Sequence, residues 1–339
     1  MNYKLFIHAV VTVAFLNSGM LLAQKPKDHV KEMMEHLSKD ELIKHLTIIA
    51  SDEMEGRKTG EPGQKKAANY IKNFYKKLGI DALPGTNDYY QKVPSEAMKR
   101  MFSPKLNDSE NVVAYIKGSE KPDEYVVISA HYDHVGITNN EIYNGADDNG
   151  TGTTALLEMA RMFKIAQKNG FGPKRSIVFL HCTGEEYGLH GSRYFVNSKV
   201  IPLENIVADL NVDMIGRRDF TYNNNKTPYI YLVGSDKISN ELHQISENAN
   251  KKYTHLKLDY TFNDDKHPEM IYYRSDHYNF AQYNIPVIFY YSGEHADYHK
   301  PTDTVDKINF NDMLKRVQLI FVTAWEITNK PDRLKLNNQ

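Results

Sequence analysis

One cysteine in 339 residues, Cys182, means that no internal disulfide can hold this chain together. Charge of one sign is also missing. Lys and Arg number 42 against 43 Asp and Glu, a formal net charge of −1, so no global field gathers nucleic acid or an anionic membrane. There is no internal repeat, no low-complexity tract and no linker rich in proline, glycine or serine. A solenoid, a fibrous protein and a string of tethered modules are thereby excluded. What remains is 41% hydrophobic and 25% charged, enough to bury a large α/β core.

The N-terminus carries Lys4, an apolar stretch from Leu5 to Leu16, then small and apolar residues ending at Ala23. That is the pattern of a secretory signal peptide. Asn17, Ser18 and Gly19 leave the run too short to span a bilayer as a membrane anchor. No cysteine stands near the cleavage site to take a lipid. The pattern predicts cleavage after Ala23, export to the periplasm or the medium, and a single domain over residues 24–339.

Helical spacing of Ala67, Tyr70, Ile71, Phe74, Tyr75 and Leu78, stopped by Gly79, predicts a helix over 63–78. Other helices are predicted at 38–50, 151–168, 188–198, 236–250, 275–283 and 310–328. Apolar runs predict strands at Asn111–Ile116, Tyr125–Ala130, Ser176–His181, Asn205–Val212, Pro228–Val233 and Pro286–Tyr291. Strands alternating with helices imply an α/β fold, a mostly parallel mixed sheet flanked by helices on both faces. Such sheets bind ligands beyond the carboxyl ends of their strands. Cys182 ends one of these runs and reads as a buried structural residue, since no neighbouring base activates it.

Five segments at or near those ends carry metal-binding side chains. They are His131-Tyr132-Asp133, Asp147-Asp148-Asn149-Gly150, Glu185-Glu186, Asp213 after its strand, and Tyr298-His299-Lys300-Pro301. Each has a plain structural reading: an edge histidine, a helix-opening turn, a charged first turn, a partnered acid, a loop histidine. His295 competes with His299. Taken together, two imidazoles and three carboxylates can hold two divalent ions if one carboxylate bridges, leaving a carboxylate of the Glu pair as a base. The 144–152 loop lacks the lysine and the glycine spacing of a phosphate-binding loop.

With these segments stand Ser51-Asp52-Glu53-Met54-Glu55-Gly56-Arg57, Gly60-Glu61-Pro62-Gly63 and Arg274-Ser275-Asp276-His277. On this set, nearly the whole chain past residue 23 resembles the co-catalytic zinc exopeptidases. That family contains secreted bacterial aminopeptidases, glutamate carboxypeptidases and glutaminyl cyclases. The resemblance implies two zinc ions per chain, with manganese or cobalt as possible occupants of the same mixed donors. It implies that His131 and Asp213 hold one ion, Glu186 and His299 the other, and that Asp148 bridges through a residue whose bond to Asn149 is cis. Glu185 would be the general base, taking a proton from the attacking water and passing it to the leaving amine. Asp133 would support His131, Tyr298 would stabilise the oxyanion, and Arg274 and Asp276 would line the substrate pocket near the free amine.

The activity so implied is an aminopeptidase acting on peptides with a free N-terminus, with neither nucleic acid nor a stable membrane anchor as partner. Three alternatives share the scaffold. A carboxypeptidase would need a cationic clamp, for which Arg217, Arg218 and Arg274 are candidates. A glutaminyl cyclase would use one zinc, and a non-catalytic binding module would have lost ligands or base. The stretch from Asp81 to Asn111 is too short for the protease-associated insertion of some relatives. Residues 216–228 and 251–274 are expected to form loops at the rim of the site.

Overall fold

The computed structural model of the chain describes residues 28–100, 105–222, 226–264 and 266–338. The predicted signal peptide lies outside the described residues. In chain order the helices are α1 (His29–Glu35), α2 (Lys39–Ile49), α3 (Pro62–Leu78), α4 (Gly152–Lys168), α5 (His190–Ser198), α6 (Asn240–Ala249), α7 (His277–Ala281) and α8 (Phe310–Asn329). The strands are β1 (Asp81–Ala82), β2 (Tyr90–Val93), β3 (Ser109–Ile116), β4 (Lys121–His131), β5 (Gly136–Thr138), β6 (Glu141–Tyr143), β7 (Arg175–Cys182), β8 (Ile206–Val212), β9 (Tyr229–Val233), β10 (Lys257–Asp259) and β11 (Val287–Tyr291).

Nine strands form one mixed sheet in the order β1-β3-β7-β4-β8-β11-β9-β10, with β2 paired to β3. Its centre is parallel: β7 and β8 flank β4, and β11 continues beside β8. β3 and β9 run antiparallel to their inner neighbours. The period-two alternation of strand side chains sorts the core into two layers. Val126, Ile128 and Ala130 of β4, Ile177 and Phe179 of β7, and Leu210 and Val212 of β8 pack with Leu46, Ile71, Phe163 and Phe321 on one face. Val127, Val178, Leu180 and Ile206 pack with Phe195, Phe280 and Phe289 on the other. Every residue of β7 and β8 is buried, as central parallel strands covered on both faces require.

The helix ends follow local chemistry. Ser38 caps α2 by accepting the Glu41 N–H at 3.2 Å, and Ser239 caps α6 by accepting from Leu242 N at 3.2 Å. Pro62 opens α3, and Gly79 ends it at φ 70°, a left-handed conformation that costs glycine little. The predicted 236–250 and 275–283 helices are shorter, because Ser239 starts the first and only His277–Ala281 of the second is helical. Helix α1 and strands β1, β2, β5, β6 and β10 were not expected. They span two to seven residues, too short to show a period. The β5–β6 hairpin turns through Asn139 and Asn140, both at positive φ, which asparagine tolerates best after glycine.

This topology sets a chemical edge. His131 is the last residue of β4, Asp213 follows β8 directly, and Glu185 and Glu186 follow β7 across a short turn. The loop after β11 brings His299 to the same edge, and the turn before α4 brings Asp148.

Candidate metal centre

His131 Nε2 lies 3.3 Å from Asp148 Oδ1, 3.3 Å from Asp213 Oδ1 and 3.8 Å from Glu185 Oε2. A single ring nitrogen cannot donate to all three carboxylates. His299 Nε2 stands at 3.0 Å from Asp148 Oδ2 and 2.9 Å from Glu186 Oε2. Asp148 therefore turns its two oxygens to two different imidazoles. Donor atoms of His131, Glu185 and Asp213, and again of His131, Asp148 and Glu186, lie within 4.8 Å of one another.

The protonation pattern describes the same need for positive charge. Burial drives Glu185 well above the ordinary carboxylate range; His131 opposes this, and Asp213 and Glu186 add to it. Burial would also raise Asp148, but hydrogen bonds from His131 and His299 with the field of His134 hold it well below. Burial lowers His299, yet Asp148 and Glu186 outweigh it and push the imidazole up to about 11. Protons are here doing what a divalent cation would do, and metal binding at such ligands releases them. Four carboxylates, two converging imidazoles and a buried Asp213 Oδ1 that finds no donor fit zinc, and the hard oxygens also suit manganese.

The turn carrying Asp148 settles which of two adjacent aspartates faces the donors. Asp147 Oδ1 accepts the Gly216 N–H at 2.6 Å and the Thr151 hydroxyl at 3.1 Å, and its Oδ2 pairs with His295 Nε2 at 3.3 Å. Asp147 and His295 are thus spent on structure, which removes His295 as a rival to His299. Asp303 Oδ2 accepts both the Asp147 and Asp148 N–H groups, at 2.9 and 3.1 Å. The Asp148–Asn149 peptide is cis. Gly145 sits at φ 53°, where an added Cβ would meet the Asp148 carbonyl oxygen at 2.2 Å and His134 Cδ2 at 2.4 Å. The turn can close this tightly only over a glycine.

Three neighbours were given no role from the sequence. His134 Nδ1 lies 2.7 Å from Glu186 Oε1, fully buried, and holds that carboxylate in place. The His131-Tyr132-Asp133-His134 run was the available signal. Asp303 is the second. The third is Arg57, whose guanidinium donates to the carbonyls of Tyr132 and Ile49 at 2.8 Å, Asn144 at 2.7 Å and Gly145 at 2.9 Å. The N-terminal signature thereby ties the strand end bearing His131 to the turn bearing Asp148.

Other expected residues are placed differently. Asp133 meets His131 Nδ1 through its backbone carbonyl, at 3.1 Å, with its carboxylate oxygen 3.8 Å away. Its carboxylate instead accepts from Thr59 Oγ1 at 2.7 Å and from the Glu185 N–H at 3.2 Å. Asp276 does not line the pocket. It is fully buried and accepts the Ser192 hydroxyl, since α5 and α7 pack together there. Its neighbour Ser275 does reach the site, donating to Asp213 Oδ2 at 2.8 Å. Tyr298 stacks on His299 at 4.0 Å. Burial, with Asp148 and both glutamates nearby, keeps its hydroxyl protonated. Arg274 pairs with Glu294 at 3.1 Å. Cys182 is a buried free thiol whose pKa is raised by burial.

A cleft of about 570 Å³ opens over Glu185, Glu186, Tyr298 and His299. A small recess of about 40 Å³ lies against Asp148, Glu185 and Asp213, walled by Met214, Ile271, Phe289 and Tyr291. Among the described residues of the predicted rim loops, only the 271–274 end reaches these two. Asp219, Tyr222, Asp259 and Phe262 line a separate cavity of about 510 Å³.

A parallel-centred sheet with such a donor set at its carboxyl edge defines a metal-dependent hydrolase scaffold. The model of peptidase family M28 matches residues 111–324, and the chain belongs to that family, among the co-catalytic zinc exopeptidases. Leucine aminopeptidase 1 of Ajellomyces dermatitidis is 27% identical over 305 residues, 88% of this chain and 73% of that protein. A probable glutamate carboxypeptidase of Arabidopsis thaliana is 37% identical over 110 residues, 32% of this chain but only 15% of the plant protein's length. Among solved structures, the LapA aminopeptidase of Legionella pneumophila superposes with a TM-score of 0.68 at 22% identity, covering 91% of this chain and 76% of that one. A zinc aminopeptidase from Bacillus subtilis superposes at 0.65 and 18% identity, covering 88% and 97%.

Proposed function

We propose that the protein is an exported aminopeptidase that removes N-terminal residues from peptides using two zinc ions. The observation that carries the reading is the division of Asp148 between His131 and His299, with Glu185 beside the pair. His131 and Asp213 would hold one ion, Glu186 and His299 the other, and Asp148 would bridge. Zinc bound there supplies Lewis acidity, polarising the scissile carbonyl and making water a nucleophile near neutral pH.

The chain's own residues do the rest. Glu185, whose backbone N–H is held by Asp133, takes a proton from the attacking water and returns it to the departing amine. The Tyr298 hydroxyl, kept protonated, donates to the carbonyl oxygen as negative charge develops on it. The substrate's N-terminal amine would lie against the recess beside Asp148, Glu185 and Asp213. The carboxylates of the recess suit the amine, and Met214, Ile271, Phe289 and Tyr291 suit an apolar side chain.

The same geometry disfavours a carboxypeptidase clamp built from the arginines near the site. Arg217 pairs with Asp297 at 2.9 Å, Arg218 with Asp312 and Arg274 with Glu294. Each already has its anion. The deciding experiment is hydrolysis of aminoacyl arylamides beside their N-acetylated forms, with and without a chelator. Chelator-sensitive cleavage of only the free-amine substrates is expected, and cleavage of the acetylated forms would refute the reading. Export rests on the pattern of residues 1–23, and N-terminal sequencing of the exported protein should begin at Gln24.

A further inference from the structure

The cleft over the metal centre is electrically two-sided. Glu185 and Glu186 line it together with Arg274, already paired with Glu294, and with two further arginines, Arg100 and Arg193. Neither guanidinium has a carboxylate within ion-pair distance among the described residues, whereas Arg217, Arg218 and Arg274 all do. Arg193, on α5, is held by neutral acceptors alone: His190 Nδ1 at 2.5 Å, the Gly188 carbonyl at 3.3 Å and the Ala97 carbonyl at 3.4 Å. These contacts fix the guanidinium without cancelling its charge. Burial, with Arg193 and Arg100 close by, pulls His190 down to about 4, so it serves as an acceptor at neutral pH.

Arg100 reaches the same place across Gly188. That glycine sits at φ 120°, and a Cβ there would lie 2.2 Å from Arg100 Nη1. Two like charges set side by side in a cleft repel, and an anion between them converts that repulsion into charge-assisted hydrogen bonds. With a net charge of −1 on the whole chain, this positive end is a local feature.

We propose that Arg193 and Arg100 form a carboxylate-binding subsite that takes the C-terminal carboxylate of a short peptide, making free-acid oligopeptides the preferred substrates. The proposal rests on the aminopeptidase reading, in which the substrate ammonium lies at the acidic recess and the leaving portion runs along the cleft. One molecule with opposite charges at its ends then matches both ends of the cleft. Peptides whose length fails to span the cleft, or whose C-terminus is blocked, gain nothing from the pair.

The test compares kcat/KM for leucyl di-, tri- and tetrapeptides as free acids and as C-terminal amides, on zinc-loaded protein. At the spanning length the acid should be favoured on the order of ten- to hundredfold, the worth of hydrogen bonds to a charged group. The acid-to-amide ratio should fall toward one in both R193Q and R100Q. Because each ratio is taken within one protein sample, partial loss of folding cannot mimic the effect. A native ratio near one at every length, or a high ratio that survives both substitutions, overturns the subsite.

If the native protein cleaves N-acetylated free acids and not free-amine peptides, the aminopeptidase reading fails. Calorimetric binding of the same acids and amides to native, R193Q and R100Q protein then decides the subsite separately. Tighter binding of the acid that disappears with the arginines upholds it, and equal binding of acid and amide overturns it.

Discussion

Replacing Arg57 by methionine removes a charge that touches no substrate, yet the structure makes its loss severe. The guanidinium is fully buried and donates to four carbonyls. Hydrogen bonds from a charged group contribute roughly 1.5–3 kcal/mol each, or about 6–12 kcal/mol in all. Against this stands the cost of burying the cation, which lowers its pKa from the usual arginine value to about 10 despite Asp148 and Asp133 nearby. A shift of that size corresponds to roughly 3–4 kcal/mol. The net loss is therefore about 2–9 kcal/mol, a large part of the ~5–15 kcal/mol that separates folded from unfolded domains. Denaturant unfolding of Arg57→Met should show a much lower midpoint. Zinc affinity should fall as well, because Arg57 ties Tyr132, the residue after His131, to Asn144 and Gly145, at the start of the turn that carries Asp148. A midpoint shift worth less than about 1 kcal/mol, with zinc affinity unchanged, would refute the view that Arg57 joins the two halves of the site.

Glu185→Gln should keep its zinc and lose activity by about 10²–10⁴-fold, the usual worth of a general base, as zinc analysis beside steady-state kinetics would show. His134→Ala should bind zinc roughly 10–100-fold more weakly, since Glu186 loses the imidazole that orients it, and competition with a chelator measures this. Acid should destabilise the fold through an imidazole buried in the core. Burial lowers His181 from 6.5 to about 3, where its Nε2 meets the Tyr75 hydroxyl at 2.7 Å. The neutral form is favoured in the fold, so this contribution is complete above pH 6.5 and is lost as pH falls toward 3. Between pH 7 and 4.5 it amounts to about 2–3 kcal/mol. In His181→Gln the acid-induced drop in unfolding free energy should shrink by that amount, and an unchanged drop would remove His181 from the explanation.

The sheet was legible because its central strands are apolar runs bounded by polar turns, and because burial on both faces forbids anything else at β7 and β8. The ligand segments were legible for a related reason. His131, Glu185 and Asp213 each interrupt apolar sequence at or just past a strand end, where an acid or histidine has little local excuse, whereas Asp148 and His299 sit in polar loops and were read from the set of motifs. Edge strands of two to four residues carry no such pattern, and their pairing depends on β3 and β9 already being in place. The placement of Asp276 could not be read locally either. Its partner Ser192 lies on α5, and Asn279 Nδ2 completes the cluster by donating to the same hydroxyl at 2.7 Å. Arg193 was hidden for the opposite reason: an arginine on a helix normally finds an acid nearby, and its lack of one is visible only when the chain is folded.

Asp147 and Asp148 show where residue type stops being informative. They are adjacent, identical in chemistry and both buried, yet they serve opposite ends. Asp147 is consumed by the Gly216 N–H, the Thr151 hydroxyl and His295, contacts that lock the loop after β8 and the loop after β11 to the start of α4. Asp303, from that latter loop, then grips the N–H groups of both aspartates. With its backbone fixed this way, Asp148 spends neither oxygen on holding the turn, and both face the imidazoles of His131 and His299. In the bridging role proposed for it, Asp148 would have to be rigid without being spent. The chain meets that demand by giving the structural work to the neighbouring residue.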